Sequence, residues 1–190
     1  LGASIASFLS LIVDRFPEKS IIFPASHCDS CGKQLAIRDL IPIFSQLINH
    51  SRCRFCHTKI PFWYGLLELY FGVIVALLSL DQVFILFFST TLSLYDLKRQ
   101  EFPLLVWLLP SIFLLFVTPI NALAIILLAF GIMAELIDLK IGSGDFFYLA
   151  SLSLLLDVQT ILWIIELGSL SGIIYYFFQT NKRIPFVPFL

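Results

Sequence analysis

Two aspartates and four cysteines carry the chemistry legible in this sequence. Asp145 follows Gly142 and Gly144 in 141-IGSGDFFYL-149 and opens an apolar run. Asp96 closes an earlier apolar run in 93-SLYDLKRQEFP-103. A carboxylate at the edge of an apolar segment is costly, and is a functional candidate by default. Two carboxylates within a few ångströms cannot both ionise easily, so one keeps its proton and the other does not. Aspartyl proteolysis requires this: one carboxylate activates a water while the other protonates the scissile carbonyl, with no metal and no covalent intermediate. Gly142 and Gly144 permit backbone angles that other residues resist, and leave room for a substrate backbone to approach. The competing reading makes Asp145 a helix cap and Asp96 a boundary residue beside Lys98 and Arg99.

The cysteines fall in 27-HCDSCGKQL-35 and 52-RCRFCHTKI-60, two C-x2-C pairs separated by 21 residues. That is close to zinc-ribbon spacing. Each pair makes a tight turn that aims two thiolates at one tetrahedral ion, and Gly32 suits the first turn. Cys28, Cys31, Cys53 and Cys56 together complete a closed, structural zinc site. A reducing compartment argues against disulfides, and a polar block this small gains from a metal staple. His27 and His57 flank the pairs and could replace a cysteine, but four thiolates already satisfy the ion. His50 carries no signal.

The elements that position these groups are read from composition first. Of 190 residues, 59% are hydrophobic, 20 are Phe and only 13% are charged, with a mean hydropathy of +0.95. Soluble domains are about a quarter charged, so the chain reads as an all-α polytopic membrane protein. Residues 14–61 are the one polar block. Residues 1–13 read as the tail of a first membrane helix, and 62–190 as the membrane domain holding both aspartates. Candidate spans are 62–80, 82–96, 103–118, 119–138, 146–156 and 158–178. With incomplete helices at both ends the count is about eight. Placing 14–61 in the cytoplasm puts all 12 Lys and Arg on one side, as the positive-inside rule expects. The cytoplasmic turns are then 97–102, 139–145 and 179–185, holding Lys98, Arg99, Lys140, Lys182 and Arg183. Both aspartates sit at that face. No basic patch with interleaved aromatics suggests nucleic acid, and the sequence shows no convincing internal repeat.

Other acids interrupt the apolar runs. Glu68 lies about two turns into its helix, where it could contact a substrate amine or a cofactor, or pair with a bundle residue. Glu135 and Asp138 approach the G-x-G-D turn and read as boundary residues. Glu166 is mid-helix and has no assigned role.

With these motifs in hand, the sequence resembles the type IV prepilin peptidases, of the GxGD aspartyl protease group. The likeness runs in order through 6-ASFLSLIVDRFP-17, the tetracysteine block, 63-WYGLLELYFG-72, 94-LYDLKRQEFP-103, 142-GSGDFFYLA-150 and 183-RIPFVPFL-190. It implies Asp96 and Asp145 as the catalytic pair of an inner-membrane endopeptidase. Its implied substrates are prepilin or pseudopilin precursors, cut at the cytoplasmic face between the basic leader and the hydrophobic helix. It also implies, for many members, methylation of the new N-terminus from S-adenosylmethionine; no glycine-rich nucleotide fingerprint is present. The sequence departs from the family at Phe147, commonly Lys, and at Phe102-Pro103, which lack a following Asp. These departures favour a short, competence-type member. Two alternatives stand beside it. One is a presenilin- or signal-peptide-peptidase-like protease, which Tyr95-Asp96 and G-S-G-D also spell, although no Pro-Ala-Leu follows. The other is a non-enzymatic scaffold or transporter with a zinc-stabilised loop.

Overall fold

The computed structural model describes residues 1–99, 102–137, 142–178 and 187–190. The expected boundary residue Asp138 and the expected turn residues Lys140, Lys182 and Arg183 lie outside the described residues. The described residues form helices and turns with no strand, in keeping with the all-α expectation. They divide into two compact units, Leu1–Val83 and Phe84–Leu190.

The first unit pairs α1 (Gly2–Arg15) with α3 (Trp63–Leu77). The helices run antiparallel and close together. A Cβ on Gly2 would collide with the Phe71 carbonyl oxygen. At the other end, the Tyr64 hydroxyl donates to Asp14 Oδ2 at 2.6 Å. Between them lie a 3-10 turn (Ile37–Asp39) and the short α2 (Phe44–Ile48).

The second unit holds α4 (Leu80–Arg99), α5 (Leu104–Val117), α6 (Ala122–Ile137), α7 (Ser143–Ser153) and α8 (Val158–Phe178). Its helix ends have local causes. Asn121 Oδ1 accepts from the Ala124 N–H at 2.7 Å and starts α6. Asp157 accepts from the Gln159 and Thr160 N–H groups and starts α8, as a side-chain N-cap does.

α7 is the inner helix of this unit. Tyr148 through Ser153 are all buried. Neighbouring helices also satisfy its polar side chains: Trp107 Nε1 donates to Ser151 Oγ at 2.9 Å, Ser111 and Ser151 share a 2.8 Å bond, and Tyr148 donates to Ser89 at 2.6 Å. On α6, Gly131 lets Phe147 close in, since a Cβ there would meet its ring at 2.7 Å. At 11 residues, α7 is about 16 Å long, well short of the ~30 Å hydrocarbon layer. Its all-round apolar sequence therefore fits burial in protein. By length and composition α8 is the one described helix able to cross a membrane, while α3, α5 and α6 are apolar but shorter.

Candidate active site and metal centre

The aspartates are placed by helix periodicity. On α4, Phe88 and Leu92 are buried, and Asp96 follows at the same spacing of four. Residues so spaced share a helix face, so the inward stripe of α4 ends in a carboxylate. On α7, Asp145 lies in the first turn, one and two turns before the buried Leu149 and Leu152. Both aspartates are half-buried. The N–H of Val187 donates to Asp96 Oδ2 at 3.0 Å.

Gly142, not Asp145, is the N-cap of α7. The glycines act differently from the expectation. Gly142 has φ of −61°, and neither glycine lies in the left-handed region. What they permit is close approach. A Cβ on Gly142 would stand 2.9 Å from Asp145 Oδ2, and one on Gly144 would collide with the Phe102 ring. The space at Gly144 is therefore filled by Phe102.

Two further groups border this turn. Ser143 Oγ donates to Glu135 Oε2 at 2.6 Å, tying the end of α6 to the start of α7. Val187 was not singled out in the sequence, since a backbone donor has no side-chain signature. Glu68 belongs to the first unit; it is buried, and its Oε2 accepts from the Ile43 N–H at 2.7 Å. Glu166 is exposed on α8.

The cysteine block is built from two copies of one turn. In the first, Cys28 N–H donates to Lys33 O, Gly32 N–H to Cys28 O and Leu35 N–H to Ser26 O. In the second, Cys53 pairs with Thr58, His57 with Cys53 and Ile60 with Ser51 in the same way. Isolated bridges His27–Gln34 and Arg52–Lys59 close both. Gly32 has φ of +68° and His57, its counterpart, +57°. The repeat was visible as C-x2-C twice, but the positive-φ histidine hid the match.

The four sulfurs lie within 4.8 Å of one another, with Cys28 and Cys56 3.6 Å apart. A tetrahedral ion with Zn–S of about 2.3 Å needs sulfurs about 3.8 Å apart, so the donor set fits. Hydrogen bonds from Thr58 bring the Cys56 thiol down to about 6. At Cys31 the Lys33 N–H favours the thiolate, but burial and the other sulfurs prevail and push it up to about 11. Crowded thiols resist joint ionisation, and a divalent cation removes that cost. Among the described residues no histidine joins the cluster.

Residues 1–82 match the family model of the bacterial peptidase A24 N-terminal domain. The chain is 40% identical over 75 residues to the prepilin leader peptidase/N-methyltransferase of Myxococcus xanthus, covering 39% of this chain and 22% of that protein. It is 26% identical to the protein of the same name from Vibrio cholerae, covering 92% of this chain and 82% of that one. The Neisseria gonorrhoeae protein of that name is 24% identical, with 92% and 78% covered. The chain is similar to proteins named prepilin leader peptidase/N-methyltransferase. The resemblance read from the sequence is thereby borne out, and it extends along most of the chain in the longer matches. No solved structure matches.

Proposed function

We propose that this chain is a polytopic membrane aspartyl endopeptidase that removes the basic leader of type IV prepilin-like precursors. The observation that supports the reading is that α4 and α7 each carry a half-buried aspartate, Asp96 and Asp145, at the end of a stripe of buried residues in one compact unit. Two acids brought close would share one proton. The ionised carboxylate takes a proton from water as its oxygen attacks the scissile carbonyl carbon. The protonated carboxyl gives its proton to the carbonyl oxygen. The tetrahedral intermediate then collapses and the C–N bond breaks; the leaving amine takes the proton that the first carboxylate drew from water, and the re-forming carbonyl returns its proton to the second carboxylate. The Val187 N–H orients the Asp96 carboxylate, and Ser143 with Glu135 holds the turn that carries Asp145.

The membrane setting rests on the apolar helices, read as about eight spans, and on the one-sided distribution of Lys and Arg. A precursor's apolar helix would lie in the bilayer, so its leader junction would meet the aspartates at the cytoplasmic boundary. Cys28, Cys31, Cys53 and Cys56 would hold a structural zinc, which cross-links the two turns and takes no part in cleavage. The relatives' names also carry N-methyltransferase. Methylation from S-adenosylmethionine is a second proposed activity, to which no residue here is assigned.

The test is cleavage of a prepilin-like precursor in detergent or membranes by the chain and its Asp96→Asn and Asp145→Asn variants. Leader removal by the parent and by neither folded variant is the expected result. Cleavage by either folded variant sinks the aspartyl mechanism.

A further inference from the structure

The segment 37–48 of the first unit is amphipathic in the reverse of the soluble sense. Ile37, Leu40, Ile41, Phe44, Leu47 and Ile48 are all exposed. They lie on the 3-10 turn, on the short α2 and on the residues that join them. Two polar side chains between them, Asp39 and Gln46, turn inward. Asp39, 6% exposed, accepts from the Ala36 N–H and pairs with Arg54 at 3.4 Å. The Gln46 side chain lies against α3, where a Cβ on Gly65 would meet its Oε1 at 2.5 Å.

The same segment lies along α3 at a measurable depth. Gln46 is opposite Gly65, the Ile43 N–H reaches Glu68, and Ile43 Cδ1 would sit 3.9 Å from a Cβ on Gly72. Counting from Trp63, Glu68 and Gly72 are about 7 and 13 Å along the helix. Trp63 and Tyr64 stack at the start of α3, and such residues favour the membrane–water interface. Amphipathic interfacial segments bury their apolar face about 5–10 Å into the boundary between headgroups and acyl chains. The chain also enters and leaves this region through α1 and α3, which hold it at one end of the pair. A basic rim completes the pattern: Arg38 and Arg54 line an open cleft with Ile37 and Phe55, and Lys33 lies 4.9 Å over the Phe55 ring. Anionic headgroups attract such residues.

We infer that residues 37–48 are a membrane-embedded interfacial segment, with their exposed apolar face in the acyl chains and the basic rim at anionic headgroups. This rests on the reading of α1 and α3 as membrane helices. It gives Glu68 a role: at that depth no water reaches the Ile43 N–H, and an unpaired backbone donor there is costly. Glu68 is the acceptor that lets the segment sink.

The test places a fluorescent amino acid at Phe44 of the full chain, in phosphatidylcholine–phosphatidylglycerol vesicles brominated on their acyl chains. Val73, exposed on α3, and Ser30, exposed in the first cysteine turn, carry the same probe in control variants, and metal content checks folding. The expected result is loss of emission at Phe44 comparable to that at Val73, with Ser30 unquenched. Quenching at Val73 without quenching at Phe44 overturns the inference and leaves the membrane reading intact; the apolar face is then covered by protein. No quenching at Val73 overturns the membrane reading of α3 and the inference with it.

Discussion

The N–H of Val187 donates a 3.0 Å hydrogen bond to Oδ2 of Asp96, 91 residues earlier in the chain. The donor is held firmly, because Val187 is buried in the core cluster of the second unit. Nearby, Phe189 meets the Tyr175 ring at 5.1 Å, and its carbonyl oxygen would stand 2.8 Å from a Cβ on Gly168. The last described residues therefore fix the direction in which Asp96 points. In Asp96→Asn the amide oxygen accepts the same bond while proton transfer is lost. The variant is expected to melt within about 1 kcal/mol of the parent and to cleave a precursor about 100- to 10,000-fold more slowly. Thermal denaturation and a leader-cleavage time course check the two halves.

Gly144→Ala tests why the glycine is there. Its backbone angles are helical, so on backbone grounds alone alanine would be tolerated. The structure instead puts Phe102 where the methyl must go, with its Cβ at 2.8 Å. Overpacking of this kind costs about 1–3 kcal/mol, and relief requires α7 to move away from Phe102, taking Asp145 with it. Lower thermal stability and lower cleavage are expected together. A variant with parental stability and activity would show that the site is not packed against Phe102.

The helices were legible because their apolar runs are punctuated by residues with physical roles. The break between the runs 146–156 and 158–178 falls at Asp157, which caps α8; the run 119–138 began two residues before Asn121, the residue that caps α6. The run 146–156 was also legible as a helix, but not its surroundings: an apolar sequence is the same whether lipid or protein covers it. The aspartates were legible as costly charges at the ends of apolar runs. Whether they meet was not, because that depends on how α4 and α7 pack. The Phe102 contact at Gly144 and the Val187 donor were hidden for a related reason. Both are meetings of residues far apart in sequence, one through a missing side chain and one through backbone alone.

The two cysteine turns predict one zinc per chain. Cys53→Ser removes the most buried of the four sulfurs, and metal content is expected to fall to near zero, with the 26–60 region becoming open to protease. His57→Gly is the matching control. His57 holds a left-handed backbone at the position where the first turn has Gly32, and that conformation costs a non-glycine residue about 1 kcal/mol. Full zinc content with equal or higher stability is expected. Loss of zinc in His57→Gly would make the imidazole a ligand. Elemental analysis of the purified proteins and limited proteolysis distinguish these outcomes.

Glu68 divides two roles that the sequence left open. As a substrate contact it would be judged by its charge; as the acceptor for the Ile43 N–H it is judged by its oxygen. Ile43 has φ of +66° and ψ of −56°, and the Phe44 N–H bonds back to Pro42 O at 2.7 Å. This is the strained form of γ-turn, with a β-branched residue where φ is positive. Such strain persists when surrounding contacts hold it, and the bond to Glu68 is one of those contacts. Glu68→Gln keeps the acceptor and is expected to retain parental stability and cleavage. Glu68→Ala leaves the N–H unpaired and is expected to lose about 1–3 kcal/mol, with faster hydrogen exchange across 41–48. If Gln and Ala variants lose cleavage equally while both stay stable, the carboxylate acts on the substrate and the structural role is secondary.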